Sequence, residues 1–259
     1  MSNMTVVGNT DFAELCLWAF FLFFAGLVLY LRREDHREGY PMEEDVGGRV
    51  DLPGWLDREP KRYLLPHGLG VALMPDGRRE APNAAARRTA PWSGSAIEPT
   101  GNPLVDGVGP AAYAERPKRP DMTTEGHAKI VPMRLLPAFR IAREDTDPRG
   151  LPMVGCDGRV AGTVVDVWID QAERIIRYFE IELDGTLQHV LTPMMMIQID
   201  TGRGKRGIVK TDSIRASQFA DVPALASMDQ ITLDEEERVV AYHGGGYLYA
   251  KASRMEPLL

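Results

Sequence analysis

The chain has 259 residues and a net charge of −7, with acidic and basic side chains mixed along its length. That length can bury a core in one or two domains, and the acidic balance excludes nucleic acid as the expected partner. Two cysteines far apart, Cys16 and Cys156, with no CxxC or Cys/His ligand spacing, predict a reducing compartment for the bulk of the chain and no disulfide framework.

Residues 12–31 (FAELCLWAFFLFFAGLVLYL) form the first element, and no residue from Leu15 to Leu31 is charged. At about 1.5 Å per residue this stretch spans roughly 30 Å, the thickness of a bilayer core. A buried core helix of this length would show a polar face, and this one has none. A cleaved signal peptide would need basic residues in front and a small-residue site behind. Instead the front is acidic and Arg32 and Arg33 follow, so the reading is a transmembrane helix. With Arg32, Arg33 and Arg37 just after it and nothing basic before it, residues 1–11 are expected in the periplasm and the rest in the cytoplasm. Asp11 and Glu14 account for two negative charges, so the part beyond the helix carries −5.

Residues 32–120 read as an extended juxtamembrane and partner-binding segment. Within it, Arg62 to Met74 predicts one or two strands around His67 and Gly68. The Pro-, Gly- and Ala-rich stretch 75–120 has too few apolar clusters for a core of its own and is expected to be ordered by lying on another protein. Residues 121–259 read as a mainly-β domain with a C-terminal helix. Residues 160–169 alternate, placing Val165, Val167 and Ile169 on one face and Asp166 and Trp168 on the other. After a turn at 170–174, residues 175–183 return with Phe179, Ile181 and Leu183 on one face and Tyr178, Glu180 and Glu182 on the other. Asp184 and Gly185 mark a hairpin turn. Short strands at 187–192, 195–199 and 208–210 complete a meander that predicts a small antiparallel barrel. The run Met194, Met195, Met196 is read as part of a half-buried strand. Thr232 and Glu235 make a capping box, opening a helix expected to stop at Gly244, Gly245 and Gly246.

No GxSxG, HExxH or P-loop is present, and the five histidines sit at no metal-ligand spacing. Gly202, Gly204 and Gly207 match GxGxxG literally, but a short β-run follows where a dinucleotide site needs a helix, so the stretch reads as a basic hairpin loop. One constellation remains. Asp170 and Glu173 flank one tight turn, and two neighbouring carboxylates resist ionising together, which raises one apparent pKa. Arg174 and Arg177 are close enough in sequence to oppose that shift. Glu125, His127 and Lys129 form a second titratable group ahead of the barrel. Both groups also read as ordinary solvated turns.

The stretches LYLRREDHREGYPMEED (29–45), EPTGNPLVDGVGPAAYAER (98–116), KIVPMR (129–134), DPRGLPMVGCDG (147–158) and ITLDEEERVVAYHGGGYLYA (231–250) together resemble the H subunit of purple-bacterial photosynthetic reaction centres. The likeness runs nearly end to end and is weakest at 46–60 and 80–95. It implies a single transmembrane helix with a cytoplasmic PRC-type barrel, in the bacterial inner (intracytoplasmic) membrane. It implies a non-catalytic subunit capping the L and M subunits, which hold the bacteriochlorophylls, bacteriopheophytins, quinones and non-haem iron; this chain binds none of these itself. A cytochrome subunit, light-harvesting antenna and membrane lipids are further expected neighbours. The family role is to stabilise the assembly and help conduct protons to the secondary quinone. On that resemblance Glu173 matches an acidic residue near the quinone end of the path, Asp170 a neighbouring acidic position, and His127 a surface histidine where protons are taken up. Glu125 stands where some members carry a second histidine, which puts uptake through His127 in doubt. The rival readings are a membrane-tethered module whose barrel binds a soluble partner or RNA-processing factor and, last, an enzyme.

Overall fold

Asp11 starts the first helix: its side chain accepts the Glu14 amide at 2.8 Å, and α1 runs Phe12–Asp35. The computed structural model describes residues 5–7, 10–38, 54, 58–77, 85–92, 95–201 and 207–255. These fall into two compact units, one within residues 1–79 together with Trp92, the other within 80–91 and 95–259.

In the first unit, β1 (Thr5–Val7) and β2 (Thr10–Asp11) pair just ahead of α1. No residue of α1 is buried, and it is long and apolar enough to cross a membrane. It continues one turn beyond the expected end at Leu31, because Arg32, Arg33, Glu34 and Asp35 are tolerant of helix and Arg32 and Asp35 pair one turn apart. Glu34 then gathers Arg37 at 2.8 Å, Arg58 at 2.6 Å and Lys61 at 2.5 Å. The strands expected around His67 and Gly68 are present as an antiparallel pair, β3 (Lys61–Leu64) and β4 (Val71–Met74).

The second unit opens with a small hairpin, β5 (Ala86–Arg88) and β6 (Ile97–Pro99). Its core is a seven-stranded sheet made of β7 (Ile130–Pro132), β8 (Pro152–Val154), β9 (Val160–Asp170), β10 (Ile175–Leu183), β11 (His189–Pro193), β12 (Ile197–Asp200) and β13 (Ile208–Thr211). The strand order is β11-β10-β9-β8-β13-β12, with β7 also pairing β9. Every pairing is antiparallel except β13 with β8, which is parallel. The long β9 therefore shares one edge between β8 at its start and β7 at its end.

Two bulges shift the expected faces. Glu180 pairs with Asp166 and Ile181 with Val164, leaving Val165 without a partner, while Arg177 is skipped between Ile176 and Tyr178. Such an extra residue re-aims the side chains beyond it. Val164, not Val165, is therefore buried in the core with Val167, Phe179 and Ile181. The second face is also covered, contrary to the simple alternation. Trp168 is fully buried, and its indole N–H donates to Glu180 Oε2 at 2.9 Å. Arg134 reaches the same carboxylate at 2.8 Å and Asp166 at 3.4 Å, and His189 Nδ1 lies 2.7 Å from Glu180 Oε1.

Met194–Met196 form a 3-10 turn after Pro193 and not a half-buried strand; β12 starts only at Ile197, and Met195 is 80% exposed. The expected basic loop at Gly202, Gly204 and Gly207 lies outside the described residues apart from Gly207.

Thr232 caps α2 (Leu233–Tyr249) through the expected box with Glu235. The helix does not stop at the three glycines. A Cβ on Gly245 would lie 2.5 Å from Ala111 Cβ, and one on Gly246 would lie 2.4 Å from the Ser213 carbonyl oxygen. The glycines permit close approach of neighbouring backbone and are not helix terminators. The segment of Ala111 is part of the stretch expected to need another protein for its order. Leu104, Val108 and Ala111 are buried within this unit, Arg116 pairs with Glu237 at 3.3 Å, and Arg238 stacks 4.6 Å over the Tyr113 ring. This strap is ordered by its own chain's C-terminal helix, so the packed unit extends well before residue 121.

Candidate functional site

The β9–β10 connection is built on Asp170. Its Oδ1 accepts the amides of Ala172 and Glu173, both at 3.0 Å, and its carbonyl accepts the Arg174 amide at 2.8 Å. An Asp side chain bonding amides two and three residues on is the usual anchor of such a turn. It leaves Asp170 fully buried, while the Glu173 side chain is 54% exposed.

The two carboxylates do not meet directly. Lys129 stands between them, its ammonium 3.4 Å from Asp170 Oδ2 and 3.3 Å from Glu173 Oε1, with Asp121 at 3.7 Å. An ammionium-type cation shared by two acids offsets the like-charge repulsion expected of an isolated pair. Burial is the largest influence on Lys129 and works against its charge, yet Asp170 and Glu173 together raise its pKa above the usual lysine value. The backbone fixes the arrangement: the Gln171 amide donates to the Lys129 carbonyl at 3.0 Å, the Gln171 side chain to the Ala128 carbonyl at 2.8 Å, and the Lys129 amide to the Asp121 carbonyl at 2.8 Å.

Glu125 and His127 lie in a tight turn, closed by the Thr123 amide on the His127 carbonyl at 2.8 Å and the His127 amide on Thr123 Oγ1 at 3.3 Å. The Thr124 hydroxyl, 2.6 Å away, is the main reason that Glu125 titrates below the ordinary carboxylate range, and His127 adds to it. This turn ends two residues before Lys129, so the loop joins the acidic turn through Lys129. Arg177, in the β10 bulge, lines a cleft of about 720 Å³ together with Lys129, Asp170, Tyr178 and Glu236.

The sequence places Asp170 and Glu173 in one turn and Glu125, His127 and Lys129 in one loop, but it does not show that Lys129 joins the two, or that Asp121, Tyr178 and Glu236 line the same cleft. Glu236 sits in the first turn of α2, and nothing local to it points to Asp170. Among the described residues no three His, Cys, Asp or Glu side chains are grouped to hold a metal ion.

Two family models match. That of the photosynthetic reaction centre H-chain N-terminal region covers residues 4–135, and that of the PRC-barrel domain covers residues 141–215.

Proposed function

The chain belongs to the photosynthetic reaction-centre H-chain family, and from that premise we propose that its β-domain caps the cytoplasmic face of the L and M subunits and hands protons toward the secondary quinone. The family is a structural subunit of the reaction centre and associates with L and M. In this reading α1 fastens the chain in the inner membrane with its N-terminus periplasmic; the arginines that follow it support that orientation. An exposed apolar rim beside the acidic turn, including Ile175, Met194, Met195 and Ile199, supports docking on another protein there.

The observation that carries the proton role is the buried Asp170 tied through Lys129 to the half-exposed Glu173. Reduction of a quinone to quinol consumes two electrons and two protons. The electrons come from the partner subunits' cofactors; the protons must cross the protein layer above the site through groups at hydrogen-bond spacing, directly or by water. Glu173 is the donor nearest the quinone, Asp170 stands behind it, and Glu125 and His127 offer an uptake point on the same loop. Arg177 acts electrostatically from the cleft side. In assembled reaction centres, Glu173→Gln is expected to slow the proton-coupled second electron transfer to the quinone while leaving the assembly and its pigment absorbance intact. An unchanged rate removes Glu173 from the path.

A further inference from the structure

We propose that Glu236 is a proton-holding group of this subunit, exchanging protons with the Asp170–Lys129–Glu173 turn through water in the cleft that α2 and β10 enclose. The inference rests on the proton role above and adds to it a second source of protons, on a different element from the loop of Glu125 and His127.

The cleft, of about 720 Å³, has ample room for water. Its wall carries charged and polar groups from five separate parts of the fold: Arg116 from the strap, Asp121 and Lys129 from the loop, Asp170 from β9, Arg177 and Tyr178 from β10, and Glu236 from α2. Glu236 Oε2 accepts the Tyr178 phenol at 3.0 Å, and the Tyr178 ring is itself buried in the core. A fixed donor thereby holds the acid in the wall of the cleft. Asp170 Oδ2 is shut off from bulk solvent, and the Lys129 ammonium at 3.4 Å is the charge that faces it. Asp170 and Glu236 both line this cleft.

The charges around Glu236 are mixed. Burial is the main influence and raises its pKa above the ordinary carboxylate value; Asp121 adds to the rise, while the Tyr178 hydrogen bond, Arg177 and Lys129 oppose it. Glu237 on the same helix, with its partner Arg116, also lines the cleft. A carboxyl balanced in this way keeps its proton to higher pH than a solvated acid. The step is a simple transfer. Neutral Glu236 gives its proton to a cleft water, which passes one to the carboxylate of Asp170; Glu236 is left as carboxylate and is reprotonated from solvent.

Two measurements test this. In the purified full-length chain in detergent, infrared titration should show a protonated carboxyl that persists above the pH where solvated acids ionise, lost in Glu236→Gln and kept in Glu236→Asp. A spectrum identical in Glu236→Gln and the parent overturns the proposal whether or not the variant assembles. In assembled reaction centres, flash-induced proton uptake should fall severalfold on the alkaline side in Glu236→Gln, with its pH profile restored by Glu236→Asp. A profile superimposable on the parent also overturns it. If Glu173→Gln slows electron transfer and Glu236→Gln changes nothing, only this inference fails; if Glu173→Gln is silent too, the proton role itself fails.

Discussion

Replacing single glycines in α2 by alanine separates helix propensity from close packing. In a helix interior alanine is favoured over glycine by about 0.8–1 kcal/mol. At Gly244 the nearest atom to a new Cβ is the Pro110 carbonyl oxygen at 3.7 Å, an ordinary contact. Gly244→Ala should therefore stabilise the domain by about 0.5–1 kcal/mol. At Gly246 the same methyl would stand 2.4 Å from the Ser213 carbonyl oxygen and 2.5 Å from Ile214 Cγ2. Overpacking of this kind costs about 1–3 kcal/mol, and here one obstacle is backbone that cannot rotate away. Less the propensity gain, Gly246→Ala should lose about 0–2 kcal/mol. The two variants then differ by roughly 1–3 kcal/mol, or about 2–12 °C in melting temperature for a domain of this size. Thermal unfolding of the full chain in detergent, followed by far-ultraviolet circular dichroism, reads the gap. Gly246→Ala melting together with or above Gly244→Ala would refute the close-approach argument.

Further tests address the polar core and the cap. Arg134→Ala strands the buried Glu180 and Asp166 carboxylates; since Arg134 is itself partly exposed, the loss should be roughly 2 kcal/mol, below the 3–5 typical of a fully buried pair, measured by denaturant unfolding. His243 is completely enclosed, between Ser213 Oγ at 2.9 Å and the Leu191 carbonyl at 3.2 Å, and burial lowers its pKa to about 4. Its folded pKa lies below the unfolded value of 6.5, so the stability tied to its neutral form is complete above pH 6.5 and declines as pH falls toward 4. The full effect is about 3 kcal/mol, and Glu or Asp titration will overlie its acid end. His243→Gln should flatten the stability slope between pH 6.5 and 4; an unchanged slope there would show that His243 is not its source. Thr232→Ala should cost about 1 kcal/mol by removing the α2 cap, with Thr232→Ser recovering most of it in the same assay.

The parts legible in the sequence are those fixed by near neighbours. The helix α1 is readable because seventeen consecutive residues from Leu15 to Leu31 lack charge, and the β9–β10 hairpin because its alternation and turn are local. What escaped reading depends on distant contacts. A two-residue period cannot announce a bulge, so it groups Val165 with Val167, whereas Val164 is the residue buried beside Val167 in the core. Three glycines in a row look like a helix end until Ala111 and Ser213 are known to lie against them. The candidate site divides in the same way. Asp170 and Glu173 are neighbours in one turn, whereas Lys129 reaches them from another loop and Glu236, on α2, shares only the cleft with Asp170.

The parallel pairing of β8 with β13 also bears on how the chain is made. Met153 meets Val209, 56 positions later, so one flank of β8 stays open while everything between them is synthesised. At ribosomal speeds of about 5–20 residues per second that interval lasts several seconds, far longer than a hairpin needs to form. During it, a nascent chain already held at the bilayer by α1 presents backbone amides and carbonyls that any neighbouring strand could borrow. Arrival of the last strand is thus what seals the sheet against unwanted partners.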